Sequence, residues 1–233
     1  MTTMRLGLSG PPLDYDEGYA LQRRLHDEVV AGAADSHLVL CQHADVYTAG
    51  RRTEPSDLPR DGSPVVDVDR GGRITWHGPG QLVAYPIVRL PEPLDVVAYV
   101  RSLEQVVIDT CAVFGVDAER VEGRSGAWIR RPFRDEKVGA IGIRVANGVT
   151  MHGISLNCDN SLEPYGAIVA CGIADAGVTT LSRVLGRRVS PGDVVDTLEA
   201  HLDAYLATLA ERRRDGHAAD GRQAQTALVG GRA

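Results

Sequence analysis

Lysine is almost absent from this chain. Of its 25 basic side chains all but Lys137 are arginines. Solubility and ion pairing are served equally well by guanidinium, so a single retained ammonium points to a task arginine cannot perform, which is losing a proton. The residues alone leave a second reading open, a surface remnant beside Asp135 and Glu136. Cysteine is scarce too. Cys41, Cys111, Cys158 and Cys171 are scattered without a C-x-x-C pair, which argues against a disulfide framework or a zinc knuckle, and no metal site is expected. Cys41 and Cys111 sit in apolar runs and read as small buried residues. Positive charge is in deficit: a net charge of −6 excludes a general nucleic-acid binder, which needs a basic footprint. No apolar run approaches the roughly 18 residues of a membrane span, and the N-terminus lacks a basic head and apolar signal core. The expected location is the cytoplasm, with neither membrane nor nucleic acid as partner.

What is present describes a soluble globular protein, with 43% hydrophobic and 24% charged residues. A first helix is predicted over 14–32, with Asp14 able to cap it, and "SHLVLCQ" reads as a strand. The Gly-, Pro- and charge-rich "ADVYTAGRRTEPSDLPRDGSP" then reads as a long exposed loop. A second helix runs from about Asp95 to Phe114, and a third begins with Ser190 as N-cap and Pro191 at its first position. Between them "KVGAIGIRV" and "VTMHGISLNC" flank Ala146-Asn147-Gly148, a hairpin signal that sets Lys137 and Cys158 near the ends of neighbouring antiparallel strands. Helices bracketing hairpin-linked strands predict an α+β fold with a mixed or antiparallel sheet. One catalytic domain over 1–210 is expected, and the Gly/Ala/polar tail 211–233 is expected to be disordered.

Two segments look unlike plain packing. In "RGGRITWHGPGQ", residues 70–81, four glycines and a proline surround Arg70, Arg73, Thr75 and His77, and such a loop lets a ligand approach backbone N–H groups. No Walker lysine follows it. In "AIVACGIADAGVTTL" the thiol of Cys171 is followed by Gly172 among small residues, which suits an electrophile at sulfur and an oxyanion at the Gly172 N–H. A hairpin with a Gly-rich bend explains the first segment as well, and plain close packing the second. His77 and His152 offer Cys171 a conventional base, and Lys137 a less common one. Spacing does not choose among the three.

The motifs "RGGRITWHGPGQLVAYPIV", "GRSGAWI", "KVGAIGIRV", "MHGISLNC" and "ACGIADAGVTTL" follow one another in an order that resembles the lipoate-protein octanoyltransferases, the lipoyl(octanoyl) transferase family, over about residues 5–205. The resemblance implies a fold like that of the lipoate and biotin protein ligases. It implies transfer of an octanoyl group from octanoyl-acyl carrier protein to a lysine of lipoyl domains, those of 2-oxoacid dehydrogenase complexes and the glycine cleavage H protein, as a first step of lipoate biosynthesis. No cofactor is implied. Carried over position by position, Cys171 forms the acyl-thioester with Lys137 as its partner, and the acyl pocket comprises Arg70, Gly71, Gly72, Arg73, Ile74, Thr75, Trp76, His77, Ala140, Ile141, Gly142, Gly153, Ile154 and Ser155. "RITW" is expected to cover an apolar tunnel. Ala170 stands where the family usually has proline, and Met151 where other residues are frequent. Acidic partner proteins would dock on local positive charge, for which Arg51, Arg52, Arg130, Arg131 and Arg134 are candidates.

Overall fold

The computed structural model describes residues 1–169 and 175–229, with side chains to residue 213. In chain order these residues form β1 (Thr2–Leu6), α1 (Tyr15–Val30), β2 (Ser36–Cys41), β3 (Val46–Ala49), β4 (Val65–Asp67), β5 (Thr75–His77), β6 (Gln81–Val88), α2 (Val96–Val113), β7 (Glu119–Val121), β8 (Arg124–Ile129), β9 (Glu136–Ala146), β10 (Val149–Asn157), β11 (Gly177–Val178), α3 (Leu181–Leu185) and α4 (Pro191–Val229). The main sheet runs β1-β2-β6-β10-β9-β8-β7, with β11 also paired to β9, and a small sheet runs β4-β3-β5. Most neighbours are antiparallel, while β1–β2, β9–β11 and, in the small sheet, β3–β4 are parallel. The expected α+β architecture, a mixed sheet flanked by helices, is the one observed.

Local signals explain the helices and the central hairpin. Asp14 caps α1 by accepting from the N–H groups of Asp16 and Glu17, and Asp95 caps α2 by accepting from Ala98. Asn147 and Gly148 both take positive φ, 52° and 72°, and close the β9–β10 hairpin as a two-residue turn. One sequence expectation differs from what is found. The stretch expected to be one exposed loop contains β3, because Val46-Tyr47-Thr48-Ala49 is β-prone and pairs with β4 and β5, burying Thr48 and Ala49. Helix α4 carries helical backbone to Val229.

The main sheet separates two apolar cores. Leu38 and Leu40 of β2, Leu82 and Ala84 of β6, and Ile154 and Leu156 of β10 pack with α2 and α4. Their alternates Val39 and Cys41, and Val83, Tyr85 and Ile87, pack with Leu25 and Val29 of α1. This is the period-two consequence of a pleated strand buried on both faces. Among the described residues no helix is long and apolar enough to cross a membrane.

Candidate active site

A cavity of about 920 Å³ opens on the α1 side of the sheet. Its floor exists because the strands crossing it lack bulk. Cross-strand neighbours Gly142 and Gly153, and Ala140 and Ser155, face it side by side. A Cβ on Gly142 would meet Arg70 Cδ at 3.0 Å and one on Gly153 the Ala84 carbonyl oxygen at 2.2 Å, so neither glycine takes a side chain without a shift of its neighbours. Their alternates Ile141 and Ile154 border it while packing with the α2 core.

Lys137 reaches this cavity through a pairing defect. Strands β8 and β9 match Ile129 with Glu136 and Trp128 with Lys137, but Ala127 with Gly139, so Val138 is one residue too many on β9. Val138 belongs to the α2 core, and a Cβ on Gly139 would lie 2.7 Å from Val107 Cγ1 of α2. Both therefore turn toward α2, and Lys137 turns the other way. Strict alternation would have placed Lys137 on the α2 face with Gly139, and the bulge re-aims it. The side chain is 6% exposed. Among the described residues no carboxylate pairs with it. Its Nζ stands 4.7 Å from the centre of the Trp128 ring, a contact of the cation–π kind.

Gly126 makes the corridor for that side chain. At φ 109° its missing Cβ would stand 2.5 Å from the Gly139 carbonyl oxygen and 3.3 Å from Lys137 Cε. The Gly126 N–H donates to Glu104 Oε1 at 2.9 Å. Glu104 is fully buried in α2, and its other oxygen receives Arg101 at 2.8 Å and Arg120 at 3.2 Å. A buried carboxylate with three donors thus clamps the strand that flanks Lys137.

The glycine-rich segment forms the opposite wall. Gly71, Gly72, Arg73, Thr75 and His77 line the cavity, as does Arg70, whose guanidinium donates to the carbonyls of Thr48, Gly71 and Arg73 and to the Thr48 hydroxyl. Arg73 pairs with Glu54 and Asp57. Ile74 and Trp76 alternate away from the cavity. Ile74 is sealed in the interior and Trp76 packs edge-on against Tyr165, so "RITW" is not a cover: Thr75 faces the site and its two apolar neighbours face the protein.

Buried histidines flank the floor. His77 donates from Nδ1 to Gln81 Oε1 at 2.7 Å, since the Gln81 amide nitrogen is occupied with Asn157 and Tyr165. Burial lowers its pKa to about 3. His43 donates from Nδ1 to the Leu13 carbonyl and accepts the Tyr85 hydroxyl at 2.8 Å, and burial lowers it to about 4. His152, at φ 58°, lies 2.8 Å from Asp69 Oδ1 and is lowered first by burial, against the raising effect of Asp69. All three rings are held neutral, which makes them weak bases.

Cys171 and Gly172 lie outside the described residues, as does Ala170. On either side of that stretch, Val169 and Asp175 line cavities that Lys137 also lines, the second of about 510 Å³. Strand β11 pairs Val178 with Lys137, and the Thr179 N–H donates to the Lys137 carbonyl at 2.9 Å. The other cysteines are buried, with thiol pKa values raised by desolvation, Cys111 to about 12. Of the arginines expected to face partner proteins, Arg130 is paired with Glu119 and Asp135, Arg131 with Glu136, and Arg134 donates to the Ala176 carbonyl. Arg51 and Arg52 make no such side-chain contact among the described residues. Sequence reasoning did not single out Tyr15, Val83, Tyr85 or Ser125 at the cavity, nor Trp128 beside the lysine. Only "GRSGAWI", which contains Ser125 and Trp128, carried a signal.

The mixed sheet flanked by helices is a fold shared with lipoate and biotin protein ligases. The fold matches a bipartite lipoate protein ligase of Thermoplasma acidophilum with a TM-score of 0.65 at 15% identity, covering 89% of this chain and 84% of that one. A biotin protein ligase of Aquifex aeolicus matches at 0.50 and 11%, over 92% and 69%. Sequence goes further. The chain belongs to the lipoyl protein ligase A/B catalytic domain family, whose model matches residues 14–203, and within it to the octanoyltransferases. It is 62% identical over 206 residues to the octanoyltransferase of Clavibacter sepedonicus, covering 86% of this chain and 89% of that one. To that of Salinispora arenicola it is 58% identical, over 88% and 96%. It is therefore an acyltransferase.

Proposed function

We propose that this chain moves an octanoyl group from the thioester of acyl carrier protein to a lysine amine of a lipoyl domain, through an acyl-thioester on Cys171, with Lys137 as the general base. One observation carries the reading most. The single lysine of the chain is buried, aimed into the cavity by a bulge, and without a carboxylate partner among the described residues. Among the described residues no ion pair ties its Nζ away from a thiol brought to the cavity. The neutral histidines nearby are weaker candidates for the same reason that they are neutral.

In the first half-reaction Lys137 Nζ takes the Cys171 proton, sulfur attacks the octanoyl carbonyl, and the carrier thiolate departs, taking that proton back. Backbone N–H groups near Cys171, that of Gly172 among them, receive the oxyanion. Exchange between similar thioesters is nearly balanced and needs no nucleotide. In the second half-reaction the acceptor amine attacks the acyl-enzyme, its N–C bond forms as the Cys171 S–C bond breaks, and Lys137 passes the amine proton to the leaving sulfur. Thioester to amide runs downhill and drives the sequence. The acyl chain lies over the floor of Gly142, Gly153, Ala140 and Ser155.

Two measurements test this. Intact-mass spectra after incubation with octanoyl-carrier show one octanoyl adduct on the native chain and none on Cys171→Ser; an undiminished adduct removes the assignment. Lys137→Arg keeps the charge and loses transfer, so a near-native rate would refute the base. Acylation from free octanoate and ATP would instead make the chain a ligase, and binding of both partners without turnover would make it a sequestering module.

A further inference from the structure

The chain is net negative, yet its cavity is not. Among the described residues Arg52, Arg70, Arg73, Arg124 and Lys137 line it against two carboxylates, Glu54 and Asp175. Those two are already taken, Glu54 by Arg73 and Asp175 by Arg124. Arg52 has no hydrogen bond or ion pair to its side chain among the described residues, and it is exposed at the cavity mouth. A solvated arginine is ordinary, but its backbone here is not loose. The Arg52 N–H donates to the Gly72 carbonyl and the Arg51 N–H to the Arg70 carbonyl, each at 3.0 Å, and Thr53 closes a turn onto Gly50. Gly50 permits this contact: a Cβ there would lie 2.5 Å from the Gly72 oxygen and 2.6 Å from Arg70 Nη1. The root of Arg52 is therefore laced to the wall of the cavity.

A thioester delivered on a phosphopantetheine arm brings one phosphodiester, well separated from the reacting carbonyl. With the carbonyl at Lys137 inside, the anion falls toward the mouth. We propose that Arg52 anchors a phosphate subsite for that arm, an inference that rests on the transferase reading. Guanidinium suits a phosphate through paired N–H donors, and the surplus of positive charge in the cavity draws the anion in.

The test compares S-octanoyl phosphopantetheine with S-octanoyl pantetheine, which lacks the phosphate. The native chain favours the first by about tenfold in kcat/KM, through KM, and the advantage shrinks with added salt. Arg52→Gln brings the ratio close to one, and Arg52→Lys restores part of it. As a second readout, phosphopantetheine inhibits transfer from the octanoylated carrier at about tenfold lower concentration than pantetheine, a difference that Arg52→Gln removes. Equal use of the two thioesters and equal inhibition would overturn the subsite while leaving the transferase intact. Preference undiminished by Arg52→Gln would overturn it as well. No transfer from the octanoylated carrier at all would remove the reading beneath it, and acylation from octanoate and ATP would assign the phosphate site to a nucleotide.

Discussion

Replacing Gly126 by alanine perturbs the lysine corridor with one methyl group, and its consequences can be worked from distances. The new Cβ meets the Gly139 carbonyl oxygen at 2.5 Å, where ordinary contact begins at 3.4 Å, so β8 and β9 must part by about 0.9 Å. No flexible side chain can absorb this, because the obstacle is main chain. A φ of 109° adds about 2 kcal/mol for any residue with a Cβ. If the peptide shifts, the bond from its N–H to the Glu104 carboxylate weakens, at about 2 kcal/mol more. The sum, about 4 kcal/mol, is a large share of the 5–15 kcal/mol that holds a typical domain, so the variant stays folded in the cold with a lowered denaturation midpoint. The same methyl stands 3.3 Å from Lys137 Cε, and a shift of the amine by about 1 Å costs about 100-fold in rate. Urea denaturation and single-turnover octanoyl transfer, both at low temperature, separate the two effects. Native stability together with a native rate would refute the claim that this glycine makes room for the base.

Three further outcomes follow from the same geometry. Glu104→Ala strands Arg101 and Arg120 and frees the Gly126 N–H; as both arginines are partly solvated, a loss of about 3 kcal/mol in urea denaturation is expected, with a fall in transfer rate. His43 and His77 have folded pKa values of about 4 and about 3, below the ordinary 6.5, so the unfolded chain binds protons that the folded chain refuses. Their contribution is whole above pH 6.5 and is lost as the pH falls toward 4. Together they remove about 4 kcal/mol between pH 7 and pH 5, and a denaturation free energy unchanged over that interval would contradict their neutral burial. Gly142→Val puts branched carbons against Arg70, whose Cδ a Cβ there meets at 3.0 Å, and so narrows the cavity between floor and wall; competition between butyryl and octanoyl thioesters shifts about tenfold toward butyryl, and a preference unmoved would place the acyl chain elsewhere.

The three long helices and the hairpin were legible because their causes are local: Asp14 and Asp95 before α1 and α2, Ser190-Pro191 at the start of α4, Asn147-Gly148 as the turn. Strand β3 was not, since its four residues lie between polar, glycine- and proline-rich segments and gain their pairing only from β4 and β5, far along the chain. The orientation of Lys137 was hidden for a different reason. Alternation read along β9 puts it with Gly139 and Ile141, and the register slip that reverses it depends on β8. Tyr15, Val83 and Tyr85 reach the cavity from α1 and β6, and a strand buried along its whole length gives no alternation to show which residues face a ligand. The arginines of the β8–β9 loop resembled a docking patch in sequence, but Glu119, Asp135 and Glu136 neutralise two of them in space.

The floor of the site belongs to β9 and β10, the innermost strands of the large sheet, and not to a lid. Both strands are hydrogen-bonded on each side, so among the described residues the floor itself adapts to a longer or bulkier guest only by disturbing the central ladder. Selectivity built this way is stiff: it changes by heritable substitution of the residues beneath the guest, while warming loosens it only at the temperature where the protein itself melts.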